Sequence, residues 1–145
     1  MSDEAATMTP AQALLLLSQH SGRHDDVHHP KWESGFLGAL RPYRGQLDVA
    51  NFHEVMTALR VLAAQLEAPQ VDRNLVSALW NICHLARMWA VAPEGMLQSN
   101  RLIAPADVAR IERWIDCVSY AVLCLLDGAG VDEAFHEYDN ADEPW

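Results

Sequence analysis

Histidine and carboxylate side chains crowd one short stretch of this chain: His20, His24, Asp25, Asp26, His28 and His29. Imidazole and carboxylate are the ligands that Zn, Ni or Fe would take. His20 and His24 have the i, i+4 spacing of one helix face, but Gly22 lies between them and weakens any helix there. A metal centre also needs its ligands held in place by hydrogen bonds from neighbours. A polar, glycine-containing stretch promises no such support, so residues 21–32 read as a solvated loop. No metal and no cofactor is expected.

A second group lies just beyond, between Pro30 and Gly45. Trp32, Phe36 and Tyr43 alternate with Lys31, Arg41 and Arg44. Trp, Tyr and Arg dominate binding hot spots, and Arg forks onto carboxylates and phosphates. The expectation is that Trp32, Arg41, Tyr43 and Arg44 form a contact surface for a protein partner or an anionic ligand. The plainer alternative is that the aromatics pack a helix junction and the arginines tie down acids or carbonyls.

A third group is a polar stripe. Ser77, Asn81, His84 and Met88 recur at helical spacing, and His53, Thr57 and Arg60 do the same on another segment. If the two stripes faced one cleft, His53, Asn81, His84 and Arg87 could bind a small ligand or perform acid–base chemistry near neutral pH. Most such stripes are the solvated faces of amphipathic helices. No serine or cysteine has a nucleophile elbow or a visible base, and no Walker-type glycine loop occurs. Ferritin-like carboxylate centres need Glu-x-x-His on paired helices; His53 and Glu54 are adjacent instead, and no Glu-x-x-His is expected. No catalytic residue is assigned, and the chain leans away from being an enzyme.

The elements that would carry these groups are legible from periodicity. Phe52, Val55, Leu59, Leu62 and Leu66 step by three and four, as do Val108, Ile111, Ile115, Val118, Val122 and Leu125. Each set makes one buried helical stripe. Thr9-Pro10 opens a helix at 10–20 and Gly22 stops it. A short helix follows at 33–40, where Gly35-x-x-Gly38 permits close backbone approach. Asp48 or Asn51 caps a helix at 49–67, and Asp72 caps another at 73–91, with Leu75, Val76, Leu79, Ile82, Cys83, Ala86 and Ala90 inward. A turn near Met96-Leu97 and a left-handed Asn100 fill the connector. Pro105 opens the last long helix, 105–127, ended by Gly128, and a short helix lies near 131–138.

No strand alternation is present. The expected fold is therefore all-α: a helical bundle with three long helices, an N-terminal helix and short connecting helices. Residues 1–8 read as frayed, 9–138 as one domain and 139–145 as an acidic C-terminal tail. Helix 10–20 and the second half of helix 105–127 are apolar on nearly every side. That is more than one small bundle readily covers, and it predicts a homodimer.

Charge and cysteine usage bound the function. The net charge is -10, and residues 128–145 alone carry six acids and no Arg or Lys. Such a chain lacks the clustered cations that neutralise phosphates, so nucleic-acid binding is not expected. Opposite potential would steer a basic protein partner towards it. Cys83, Cys117 and Cys124 are odd in number, form no CxxC and sit in apolar context. They read as reduced thiols in a cytoplasm. One Lys against nine Arg suggests a GC-rich, bacterial genome. No basic leader precedes residue 9, and the run Val118–Leu126 is too short to span a membrane. The expected role is a small acidic cytoplasmic binder, of an inhibitor or immunity type, acting on a basic partner. The alternative is a ligand-binding protein or enzyme using the histidine and arginine cleft.

Overall fold

The computed structural model describes residues 8–23, 26 and 28–145. The expectations placed on residues 1–7, His24 and Asp25 lie outside this set. Among the described residues all regular structure is helical; the only bridge is an isolated antiparallel pair, Leu40 with Tyr43.

Helix α1, Pro10–His20, begins with a full capping box. The Thr9 hydroxyl accepts from the Gln12 backbone N–H, and the Gln12 side chain accepts from the Thr9 N–H. These bonds satisfy donors that the first turn of a helix leaves open. Met8, placed in the frayed segment by the sequence, is half-buried against the core. Helix α2, Lys31–Ser34, is shorter and earlier than the expected 33–40. A Cβ on Gly35 would stand 2.6 Å from the Lys31 carbonyl, and one on Gly38 would stand 2.2 Å from that of Trp32. The chain folds back on its own turn there, so a continued helix gives way to turns through Ala39.

Asp48 caps α3, Val49–Val61, by accepting from Ala50 N–H. The expected single helix 49–67 is interrupted at Leu62 and resumes as α4, Ala63–Glu67. Asp72 caps α5, Arg73–Ala86, which loosens into a π-helical turn at Arg87–Val91. Helix α6 is Met96–Ser99. The left-handed residue after it is Arg101 (φ 56°), and Asn100 stays at negative φ. Asn100 instead bonds its side-chain amide to the Met96 carbonyl. Helix α7, Pro105–Asp127, closes on Gly128 at φ 80°, the left-handed position where glycine carries no Cβ penalty. The expected helix at 131–138 is two short pieces, α8 (Val131–Ala134) and α9 (His136–Asn140).

Helix α7 is the spine. It packs on α3, α4, α5, the π turn and α8, while α1 lies against α3 and α5. Leu59, Leu62, Leu79, Ile82, Ile115 and Val118 are buried, as their stripes predict. Val122, expected with them, is only half-buried. By length and composition Arg73–Ser99 could cross a membrane. Here it is a helix, a π turn, a bend and a short helix, folded onto α7.

The C-terminal segment is docked. Arg110 donates to the Trp145 carbonyl oxygen, and Arg113 donates to those of Pro144 and Glu143. The Arg113 guanidinium lies 3.8 Å over the Trp145 ring. That ring meets Phe52 at 5.1 Å, and Phe52 stacks on Trp114 at 5.5 Å.

Candidate functional site

The inward stripe of α5 is Leu75, Ala78, Leu79, Ile82 and Ala86, all buried. One step round the helix, Val76, Trp80, Cys83, His84 and Arg87 line a groove; Trp80 and His84 are exposed, and Val76, Cys83 and Arg87 are half-buried. Helix α7 runs antiparallel to α5 here. Arg87 at the end of α5 meets Asp116 at 2.9 Å and Glu112 at 3.8 Å in the first half of α7. Val76 near the start of α5 shares a groove with Leu126.

The groove has a volume of about 430 Å³ and is lined by both flanks, with Val122 and Leu123 on the α7 side. Its walls are aliphatic and aromatic. Trp80 stands on the rim 72% exposed, and Leu123 is 59% exposed. Leu126 and Met88 are exposed as well. Large apolar side chains grouped on one face mark an interaction surface, whereas single exposed ones do not.

Three of the groove's polar side chains are already engaged or held neutral. Arg87 is already matched by two carboxylates. Burial pushes the Cys83 thiol up to about 12, so it stays protonated near neutral pH and is a weak nucleophile. Ser119 donates its hydroxyl proton to the Asp116 carbonyl.

The expected cleft of His53, Asn81, His84 and Arg87 is not assembled. His84 and Arg87 line the groove. Asn81 sits at its side, next to Trp80, and donates to the Ser21 carbonyl oxygen. His53 belongs to a different place: its Nδ1 is 2.6 Å from the Tyr138 hydroxyl, in the aromatic cluster around Phe52. One helical period cannot show which neighbour a stripe will face.

The segment expected to bind a partner largely ties elements together. The Tyr43 hydroxyl donates to Asp107 at 2.6 Å, bringing the loop to the start of α7. Burial, followed by that carboxylate, raises its pKa further above the ordinary value. The Arg41 guanidinium lies 5.4 Å over the Trp89 ring. Trp32 is half-buried and Arg44 is exposed, 3.9 Å from Glu33. Trp32 lies in α2 and the other three in the loop before α3, and none of the four lines the groove.

The histidine run also divides. His20 is fully buried. Its Nδ1 accepts from the Phe36 backbone N–H at 2.9 Å, so its Nε2 carries the proton and donates to Glu54 Oε1 at 2.7 Å. Lys31 Nζ reaches the same oxygen at 2.9 Å. The His20 hydrogen bond, with Lys31 adding to it and burial opposing, holds the Glu54 carboxyl down at about 2. Burial in turn lowers the His20 pKa. Both ring nitrogens are occupied, leaving none to exchange a proton with a substrate. His29 accepts the Lys31 N–H and lies 3.2 Å from the Gln19 amide. Among the described residues no cluster of His, Cys, Asp and Glu could hold a metal ion.

Two features escaped sequence reasoning. One is Glu133-x-x-His136, a single Glu-x-x-His. Its glutamate accepts a hydrogen bond from the Tyr120 hydroxyl at 2.5 Å, linking α8 to α7. The other is Trp80. The signal for it was present: α7 is apolar on almost every face after Asp116, and Trp80 sits one position beyond the buried Leu79. No family model, no curated protein and no solved structure matches this chain.

Proposed function

We propose that this protein works by holding a helix of another polypeptide chain on the face between α5 and α7, and that it is not an enzyme. The observation that carries the reading is Trp80, largely exposed on the rim of an apolar groove of about 430 Å³. A helix laid into a groove offers its apolar residues at i, i+3, i+4 and i+7, and the groove between two antiparallel helices suits that shape. An aromatic on the rim of an apolar pocket is the usual anchor of such a contact. The acidic net charge and the small size fit a binder of an inhibitor or immunity type, with long-range attraction for a basic partner.

A second reading, a small apolar ligand in the same groove, has the volume in its favour. Against it, Arg87, the cation that would orient an acidic ligand, is matched by Asp116 and Glu112.

The test is calorimetric titration with a synthetic leucine–lysine amphipathic helical peptide. Binding in the micromolar range, lost in Leu123→Asp and unchanged in Arg44→Ala, is the expected result. Binding that ignores Leu123→Asp, or no binding, overturns the reading.

A further inference from the structure

We infer that the chain seated on the α5–α7 face is a second copy of this protein, joined by a two-fold exchange of Trp80. The inference rests on the reading of this face as an interaction surface and names its occupant. A two-fold interface uses one patch on both subunits, so the patch must complement itself. This face carries both halves of such a contact. Trp80 is a knob, 72% exposed, and the groove beside it is a hole lined by apolar side chains. Turning one copy over the other about an axis near Trp80 brings each knob to the other copy's hole.

The charges point the same way. Arg73 at the start of α5 and Arg87 just past its end stand seven residues before and after Trp80, about two helical turns on the same side. On α7, Glu112 and Asp116 lie towards one end of the groove and Asp127 lies just past the other, after Leu126. At one end Arg87 is matched within its own chain by Glu112 and Asp116; at the other, Arg73 on the α5 edge and Asp127 on the α7 edge carry opposite signs. A two-fold pairing that lays α5 of one copy along α7 of the other brings Arg73 of each copy towards Asp127 of the other. The acidity of the chain is concentrated elsewhere, in residues 128–145. The face itself is close to neutral, so two copies of a chain of charge -10 can approach there.

Sedimentation velocity of the full chain over a micromolar concentration series tests this. The parent should shift from 16.2 kDa towards twice that mass. Trp80→Ala removes the knob, and Leu123→Asp spoils the hole. Each alone should weaken association at least tenfold while keeping the parent circular dichroism spectrum. A one-to-one mixture of the two variants should associate more tightly than either alone. The mixed pair regains one intact contact, Trp80 of the Leu123→Asp chain in the groove of the Trp80→Ala chain. A parent that stays monomeric at the highest concentration overturns the second copy as occupant. Titration of that monomer with the leucine–lysine peptide then decides separately whether the interaction reading survives. A dimer indifferent to both variants, or a mixture no tighter than its components, places self-association on another surface and overturns the exchange.

Discussion

His20 and Glu54, 34 positions apart in the chain, are joined Nε2 to Oε1 at 2.7 Å, and His20 has no exposed surface. Through Phe36 N–H on its other nitrogen, His20 ties the end of α1, the turn after α2 and the first half of α3 into one hydrogen-bonded unit. Its consequence is a direction of pH dependence. His20 has a folded pKa below its ordinary 6.5. As pH falls below 6.5 the unfolded chain takes up a proton there that the folded chain does not, so stability falls. Glu54 acts in the same direction at lower pH. Its folded value of about 2 lies below the ordinary 4.5, so its contribution is full above 4.5 and is lost as pH drops from there towards 2. Urea melts at pH 7.5 and pH 5.0 should show the parent less stable at the lower pH. His20→Gln, less stable throughout, should show a smaller loss between the two. Equal losses would remove His20 as the source.

The core assignment predicts a cost for truncation. Leu62 sits at the break between α3 and α4 and Leu79 faces α7; both are almost wholly buried. Leu→Ala at such sites costs about 2–5 kcal/mol, the loss of transfer energy plus the cavity left behind. Denaturant melts of Leu62→Ala and Leu79→Ala should each fall in that range. Leu123→Ala on the groove rim should change stability by no more than about 0.5 kcal/mol.

Gly38 offers a sharper test of the turn after α2. A Cβ there would meet backbone, the Trp32 carbonyl oxygen at 2.2 Å, and backbone cannot swing aside as a side-chain tip can. Gly38→Ala should therefore destabilise by about 1–3 kcal/mol, the usual cost of forced overpacking. Thermal melting beside Gly45→Ala provides the contrast. Gly45 has φ 90° and open space around it, so only its backbone conformation opposes a side chain.

The C-terminal strap should contribute to stability. The Trp145 ring lies between Arg113 and Phe52. Trp145→Ala should cost about 1–3 kcal/mol in denaturant melts, for the lost apolar burial and the aromatic and cation contacts. An unchanged midpoint would show that the strap rests on the bundle without supporting it.

The loop at 41–44 separates two roles by residue. Tyr43→Phe deletes the hydrogen bond to Asp107 and should cost about 1 kcal/mol. Arg44 is exposed and 3.9 Å from Glu33, so Arg44→Ala should stay within about 0.5 kcal/mol of the parent. A large loss in Arg44→Ala would make the arginine a structural tie.

Much of the fold was legible because helices are local. The capping box at Thr9, the caps at Asp48 and Asp72, proline at the start of α7 and glycine at its end each act within a few residues. The three–four stripes report burial without naming the neighbour. What only the tertiary structure decided is pairing. His53 and His84 carry similar stripes, yet one faces Tyr138 and the other the groove. His20 stood at the end of an expected helix with no visible partner and proved to be a buried link, because the Phe36 N–H and Glu54 come from segments 16 and 34 positions along the chain. Trp80 is an aromatic on an amphipathic helix, one position beyond the buried Leu79. Whether such a residue is covered depends on the packing of α5 against α7, and periodicity along one helix carries no information about the gap left between two.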